Sequence, residues 1–282
     1  MHPIVRAAVA VAVLTALSTA AGFETRPKIV TIVRTIDTQQ GDALSSICPK
    51  GSLPDSTACV PFPDAAERDE GPGMRKEVSA HRSRSGQWQI YEQIPRRPDR
   101  DASYAGYRYP VDTPPNGPIV LSGYDLDQPD PHQRRGRGFD DTGHGGLDLG
   151  QDRGAPVRAL RLPHQQGEAE VVFVGELFGN TVVTRHTLAE VGRNRDYLLI
   201  HGHLDTTAPQ LGPGAIVPEG TLLGTVGDSG SEGRVHLHLE VRQVRDGVEP
   251  SLLRSSGLVD RTVSIVCDPR NVLPPRKEAP TP

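Results

Sequence analysis

The sequence predicts a mainly β protein, and both its composition and its residue patterning support that fold class. The chain has 30 glycines and 26 prolines in 282 residues, a content that suits short strands joined by many turns. Hydrophobic residues make up 35% of the chain and aromatic residues only 4%, which indicates an aliphatic core. No long segment has the apolar spacing of an amphipathic helix. The length is sufficient for one large domain or two smaller ones.

Short β-rich runs recur between turn residues over positions 111–275. Each run has the length of a strand and is bounded by Gly, Pro, Asn or Asp. This pattern favours an antiparallel sheet over alternating strands and helices. It predicts one domain over residues 111–275, followed by a disordered tail at 276–282. The runs are 155–160, 168–175, 180–186, 196–204, 221–227 and 235–244.

Residues 22–110 are polar and irregular, so the fold of this N-terminal region is poorly predicted. One run at 28–36 has strand-like composition, and a second apolar spot lies around Trp88 and Ile90. The region is either a small module or a leader that packs on the main domain. The sequence leaves its role open.

The first 21 residues look like a secretory signal peptide. Arg6 precedes an apolar run at 7–16, and small residues follow at 18–22, where a signal peptidase could cut. The run is too short to span a bilayer comfortably, so we expect no stable membrane span in the mature chain; an uncleaved anchor is the alternative. The protein is therefore expected in the periplasm or outside the cell. Cys48 and Cys59 are placed for a small disulfide loop, which leaves Cys267 buried and free.

The first motif that carries chemistry is GHGGLDLG at 143–150. It separates His144 from Asp148 by three residues, two of which are glycines. Glycine lets a tight segment bring an imidazole and a carboxylate together where a larger residue would obstruct them. A histidine nitrogen and an aspartate oxygen are both good zinc ligands. The alternative is a Gly-rich turn with incidental polar groups.

The second motif is VHLHLEV at 235–241, in which His236 and His238 share one face of a strand. The residues between and around them are apolar and should face a core. Glu240 shares the polar face and is placed to orient an imidazole. The alternative is a pair of histidines that simply face solvent.

The third motif is LLIHGHLD at 198–205, where the alternation of a strand again places His201 and His203 on one face. Gly202 permits the close approach of another backbone. Taken alone, this motif is also compatible with an ordinary polar sheet face.

In this order, the three motifs resemble the lysostaphin and LytM-type zinc endopeptidases, which cut bacterial cell-wall peptides. The resemblance runs from 143 to 241 and extends to the DP-x-x-x-L pattern at 268–273. It includes GAPVRA at 154–159, GNTVV at 179–183 and VPEGTLLGTVGDSGSEGRVHLHLEV at 217–241. The resemblance implies an antiparallel β-sheet peptidase domain with an open active-site groove.

The resemblance also implies roles for five positions. His144, Asp148 and His238 align with the three zinc ligands, whereas His203 and His236 align with catalytic histidines.

The sequence departs from the family pattern at two places. His201 replaces the usual Tyr, and it either fills that position or acts as an additional ligand or proton carrier. The usual Phe-Gly pair upstream of the first motif has no obvious counterpart, and the nearest candidate is the segment 122–124.

The resulting hypothesis is a zinc metalloendopeptidase, a hydrolase that cuts peptidoglycan stem peptides or cross-bridges at the cell wall. Two His and one Asp leave a tetrahedral zinc one open position, as in catalytic sites, whereas structural sites are closed and often Cys-rich. The alternative is a non-catalytic relative that binds the wall or regulates an amidase. A formal net charge of −4 with no basic stripe argues against nucleic acid as a partner. The oligomeric state is not predicted.

Overall fold

The computed structural model describes residues 52–55, 58–61, 76–82, 88–126, 143–190 and 192–276. These residues form fifteen strands and four short 3-10 helices, with no α-helix among them. The prediction of a mainly β fold is therefore confirmed. Within the same residues, no helix is both long and apolar enough to cross a membrane.

The elements follow one another along the chain with short connections. The strands are β1 (Ser52–Asp55), β2 (Ala58–Pro61), β3 (Glu77–Arg82), β4 (Trp88–Ile94), β5 (Ile119–Ser122), β6 (Gly146–Gly150), β7 (Pro156–Arg158), β8 (Ala169–Leu177), β9 (Gly179–Glu190), β10 (Arg193–Gly202), β11 (Leu204–Thr207), β12 (Ile216–Val217), β13 (Leu222–Val226), β14 (His236–Val244) and β15 (Ser264–Cys267). The 3-10 helices are Tyr104–Gly106, Pro250–Arg254, Ser256–Val259 and Pro269–Asn271.

A ten-stranded sheet contains most of these strands, in the order β12-β8-β9-β10-β14-β15-β4-β3, with β6 also on β14 and β5 on β6. Its pairings are antiparallel except the parallel pair β4 and β15. Strand β14 occupies the centre, because it pairs with β10 along one edge and with both β6 and β15 along the other. A three-stranded sheet, β11-β13-β7, and the β1–β2 pair complete the topology.

The structure confirms the strand-like runs at 155–244 but breaks one of them. The run at 196–204 was expected to be continuous, whereas β10 ends at Gly202 and β11 begins at Leu204. His203 lies between them with a φ of 58°, in the left-handed region that no strand residue adopts. The predicted strand face shared by His201 and His203 is therefore wrong.

The main hydrophobic core lies on one face of β14. Leu237, Leu239 and Val241 are fully buried there, as the alternation of the motif predicts. A fully buried Leu or Val contributes about 1.5–3 kcal/mol relative to an exposed one. A second apolar cluster on the opposite face includes Leu198 and Ile200 of β10. The sheet is thus buried on both faces near its centre.

Residues on both sides of position 111 contribute to the main core. Ile94 of β4 is fully buried in it, together with the side chains of Tyr104, Tyr107 and Tyr109. The division of the chain at residue 111 stays a prediction. Cys267 is buried and free, as expected. The predicted signal peptide at 1–21, the run at 28–36, Cys48 and residues 277–282 lie outside the described residues.

Candidate metal centre and active site

Strands β6 and β14 bring two of the predicted ligands together. Their antiparallel register places Asp148 directly opposite His238, so the two side chains project from the same face. His144 lies just before β6 and folds back over Asp148. All three side chains are buried.

The three ligand atoms form a compact triangle. Asp148 Oδ1 lies 3.2 Å from His144 Nε2 and 3.0 Å from His238 Nδ1, and the two nitrogens are 3.3 Å apart. Ligands about 2.0–2.1 Å from a tetrahedral zinc ion lie about 3.3–3.5 Å from one another. The triangle therefore fits one zinc ion with only small adjustments. Among the described residues, it is the one group of three or more such side chains that could hold a metal.

Gly146 permits the approach of the two strands at this point. A Cβ atom there would lie 2.7 Å from the Leu239 carbonyl oxygen and 2.9 Å from Cε1 of His238. Real Cβ atoms essentially never make contacts this short. The prediction that the motif needs glycine between its two ligands is confirmed at this position.

The segment 122–125 orients His144. The Nδ1 atom of His144 lies 2.9 Å from the Gly123 carbonyl oxygen and 2.9 Å from Ser122 Oγ. The imidazole therefore donates its Nδ1–H to the carbonyl and directs Nε2 to the other two ligands. The backbone N–H of His144 donates to Asp125 Oδ1 at 2.6 Å.

This contribution is only partly visible in the sequence. The segment 122–124 was singled out as the nearest counterpart of a family motif, but nothing in the sequence indicated that Asp125 would hold the His144 backbone. The segment is itself anchored from β4, because Tyr124 donates its hydroxyl to Gln93 at 2.6 Å.

The electrostatics of the cluster favour a cation. Burial opposes ionisation of Asp148, but hydrogen bonds from His144 and His238 outweigh it and hold the pKa of its carboxyl well below the usual range. Burial likewise opposes protonation of His238, but Asp148 and Glu240 outweigh it and raise its pKa to about 9. A metal ion therefore competes with a proton for His238.

His203 and His236 lie beside this cluster, with ring centroids 4.7 Å apart. Each is close to a backbone carbonyl through Nδ1: His203 to Ser229 at 2.8 Å and His236 to Arg234 at 2.8 Å. Donation of Nδ1–H to these carbonyls leaves Nε2 of each ring as a proton acceptor. His236 Nε2 lies 3.6 Å from Asp148 Oδ1, so it borders the cluster without replacing a ligand.

Burial lowers the pKa of both histidines, that of His203 to about 4. Both rings are therefore neutral near pH 7. Each can accept a proton but does not carry one at rest.

The backbone conformation of His203 aims its side chain at the site. A residue other than glycine in the left-handed region costs about 1–3 kcal/mol, and such conformations cluster at functional sites. Hydrogen bonds hold it there: its N–H donates to the Phe178 carbonyl at 2.7 Å, and its carbonyl accepts from Gly227 at 3.0 Å. The break between β10 and β11 thus turns His203 away from the alternation of β10.

His201 does not join the cluster. It pairs with Leu239 and Val182, both of which belong to the main core on the face opposite His238. Its ring is fully buried, with Nδ1 3.1 Å from the Val182 carbonyl, and burial lowers its pKa to about 4. The geometry does not support a role for His201 as an additional ligand or proton carrier.

The structure thus combines a mainly β fold with a buried His–Asp–His triangle that could hold a metal ion and two further histidines beside it. Residues 142–250 match the profile of peptidase family M23. By this match, the segment is similar to the peptidases of that family.

Comparison with solved structures gives only low overall similarity. The catalytic domain of the antimicrobial peptidase lysostaphin from Staphylococcus simulans is 20% identical, over 48% of this chain and 85% of its own, with a TM-score of 0.33. The catalytic domain of the prophage-encoded M23 protein EnpA from Enterococcus faecalis is 21% identical. The match covers 47% of this chain and 88% of that domain, with a TM-score of 0.31. A zinc-containing peptidase from Vibrio cholerae is 25% identical. The match covers 62% of this chain and 44% of that peptidase, with a TM-score of 0.35. No curated protein matches the sequence. The family assignment therefore rests on residues 142–250.

Proposed function

We propose that the protein is a zinc-dependent endopeptidase that hydrolyses peptide bonds in bacterial peptidoglycan. The observation that carries this proposal is the triangle of His144, Asp148 and His238, with ligand atoms 3.0–3.3 Å apart, beside two histidines whose Nδ1 atoms lie 2.8 Å from backbone carbonyl oxygens. Two neutral imidazoles and one carboxylate leave a zinc site with a net charge of about +1 and one open position.

The proposed roles follow from the geometry. Zinc, when bound, supplies a Lewis acid that polarises the scissile carbonyl and makes a water molecule more acidic. One of the two histidines, His203 or His236, accepts the proton of the attacking water at Nε2. The imidazolium that results donates a hydrogen bond to the developing oxyanion and then returns the same proton to the leaving amine. Groups in such roles typically contribute about 100- to 10,000-fold each to the rate. Asp148 supplies the negative charge that holds the cation.

Peptidoglycan peptides are the proposed substrate because of the resemblance at 143–241 and because residues 142–250 match the profile of peptidase family M23. A non-catalytic wall-binding or amidase-regulating role is the alternative. The presence of His203, His236 and all three ligand residues favours the enzyme. We also propose that residues 1–21 direct export and that the domain at 111–275 acts at the wall from the periplasm or the cell exterior.

The test is to incubate the mature protein with purified muropeptides, with and without a chelator, and to identify the products by mass. We expect cleavage of a peptide bond that the chelator abolishes and added zinc restores. Asp148→Ala is the matched control and should lose both bound zinc and cleavage. Full zinc occupancy in Asp148→Ala would contradict the metal site, and cleavage that persists without metal would contradict the mechanism.

A further inference from the structure

Three polar side chains on one face of β14 form a buried row that continues away from the metal site. His238, Glu240 and Arg242 alternate along the strand, and each is less than 10% exposed. A buried carboxylate and guanidinium are costly to remove from water unless each has partners. The hydrogen-bond partners of these side chains therefore indicate their role.

Glu240 lies between the metal ligand and the arginine. Its Oε2 is 3.4 Å from His238 Nε2, on the side of the imidazole opposite the metal triangle, and its Oε1 accepts from Arg242 Nη1 at 2.6 Å.

Arg242 is fixed in turn by the neighbouring strand β15 and by the 3-10 helix before it. Its Nε donates to Ser264 Oγ at 2.6 Å, and its Nη2 donates to the carbonyls of Val259 at 2.8 Å and Ser264 at 3.2 Å. Ser264 Oγ donates to the Leu258 carbonyl at 2.5 Å. The guanidinium is thus held in one orientation, with one edge on Glu240.

This arrangement acts on the histidine. A neutral imidazole that offers Nδ1 to a metal must carry its hydrogen on Nε2. An acceptor opposite Nε2 selects that tautomer, fixes the ring orientation and makes Nδ1 a stronger ligand. The 3.4 Å separation between His238 Nε2 and Glu240 Oε2 is longer than a typical hydrogen bond.

We propose that Glu240 is a positioning residue for the metal ligand His238, and that Arg242 acts through Glu240 by holding its carboxylate against the imidazole. This inference rests on the proposed metal site. It assigns no contact with substrate to either residue. It predicts that the pair contributes to zinc affinity separately from its contribution to folding.

The test is to measure zinc affinity by competition with a chromophoric chelator, and stability by urea unfolding of the metal-free proteins. Glu240→Leu should bind zinc about 10- to 100-fold more weakly, the usual effect of losing such a partner. It should also destabilise the fold, because Arg242 remains buried and unpaired with Glu240. The double variant Glu240→Leu/Arg242→Met removes both charges. It should regain stability while its zinc affinity stays 10- to 100-fold low.

Two further variants separate positioning from general loss of structure. Glu240→Gln keeps an oxygen acceptor of the same size and should lose less zinc affinity than Glu240→Leu. Arg195→Met is the matched control, because its buried guanidinium lies 2.8 Å from the partly buried carboxylate of Glu190, in an ion pair outside the metal triangle. It should lower stability and leave zinc affinity unchanged.

Wild-type zinc affinity in the double variant would overturn the proposal, as would equal loss of affinity in Arg195→Met. The Asp148→Ala protein, measured in the same assay, distinguishes the two levels of inference. Retention of zinc by Asp148→Ala would refute the metal site itself. Loss of zinc in Asp148→Ala with full affinity in the Glu240 variants would refute only the positioning role.

Discussion

At the scale of single residues, His236 and His238 show how neighbouring identical side chains acquire different chemistry. They lie two residues apart on one face of β14. His238 directs Nδ1 to Asp148 at 3.0 Å, whereas His236 uses Nδ1 on the Arg234 carbonyl and keeps Nε2 3.6 Å from the same carboxylate. A lost ligand removes a bond to the ion, whereas a lost proton carrier removes stabilisation only in the transition state.

We therefore expect His238→Ala to lose both zinc and activity. His236→Ala and His203→Ala should keep most of the zinc and lose at least about 100-fold in turnover. Zinc content and the rate of muropeptide cleavage, measured on the same preparations, check this division. Equal zinc loss in the His236 and His238 variants would show that the assignment of roles is wrong.

His201 provides a second prediction at the residue scale, because its burial makes stability depend on pH. Its pKa falls from 6.5 to about 4 on folding. The unfolded chain therefore binds more protons between these values. The stability that the neutral ring contributes is complete above about pH 6.5 and is lost as the pH falls toward 4.

The variant His201→Leu should lack this pH-dependent contribution to the free energy of unfolding. When the pH falls from 7.5 to 5, the neutral His201 ring should account for a decrease of about 2 kcal/mol in the free energy of unfolding of the wild-type protein. The decrease in the variant should be smaller by that amount. Urea unfolding of both metal-free proteins at the two pH values gives the comparison. Identical pH dependence in the two proteins would contradict the buried, neutral state of His201.

At the scale of elements, the β6–β14 register decides whether the ligands meet. Asp148 stands opposite His238 because Gly146 allows the two strands to approach without a side chain between them. A shift of one residue would send every side chain of a strand to the other face. The metal triangle is therefore a property of the strand pair as much as of its three residues.

Gly146→Ala should reduce zinc affinity by at least about 10-fold, because the new Cβ must displace His238 or the Leu239 carbonyl. Gly212→Ala is the control, since a Cβ at Gly212 meets no atom within 4 Å. Chelator competition on both proteins measures the effect. Unchanged zinc affinity in Gly146→Ala would mean that the strands tolerate a wider separation than the structure indicates.

At the scale of the whole molecule, residues before the segment matched to family M23 share its core. Ile94 of β4 is fully buried in the main core, and β4 continues the sheet beyond β15. From the same strand, Gln93 accepts the hydroxyl of Tyr124, next to the segment that orients His144. We therefore expect the stability of the segment 142–250 to depend on β4.

Ile94→Ala should destabilise the protein by about 2–5 kcal/mol in one cooperative transition. Ile119→Ala, at a position that is 60% exposed, should change stability by less than about 0.5 kcal/mol. Urea unfolding followed by circular dichroism, with zinc release recorded in parallel, gives both values. Loss of β4 structure without any change in the transition that releases zinc would indicate two independent units.

The sequence by itself predicted the strand composition and the alternation of β14, because strand periodicity is a local property. The five proposed site positions came from the resemblance of its motifs to a known family. Only the tertiary structure decided where His201 and His203 point. Their common face was predicted from strand alternation, but His203 donates its N–H to the Phe178 carbonyl and accepts from the Gly227 N–H, and these bonds hold it in a left-handed conformation where β10 ends. The contacts of Asp125 with the His144 backbone and of Arg242 with Ser264 likewise join residues distant in sequence. Such contacts depend on how strands pair and pack. Composition and motif spacing are local patterns, so they do not predict which distant residues will meet.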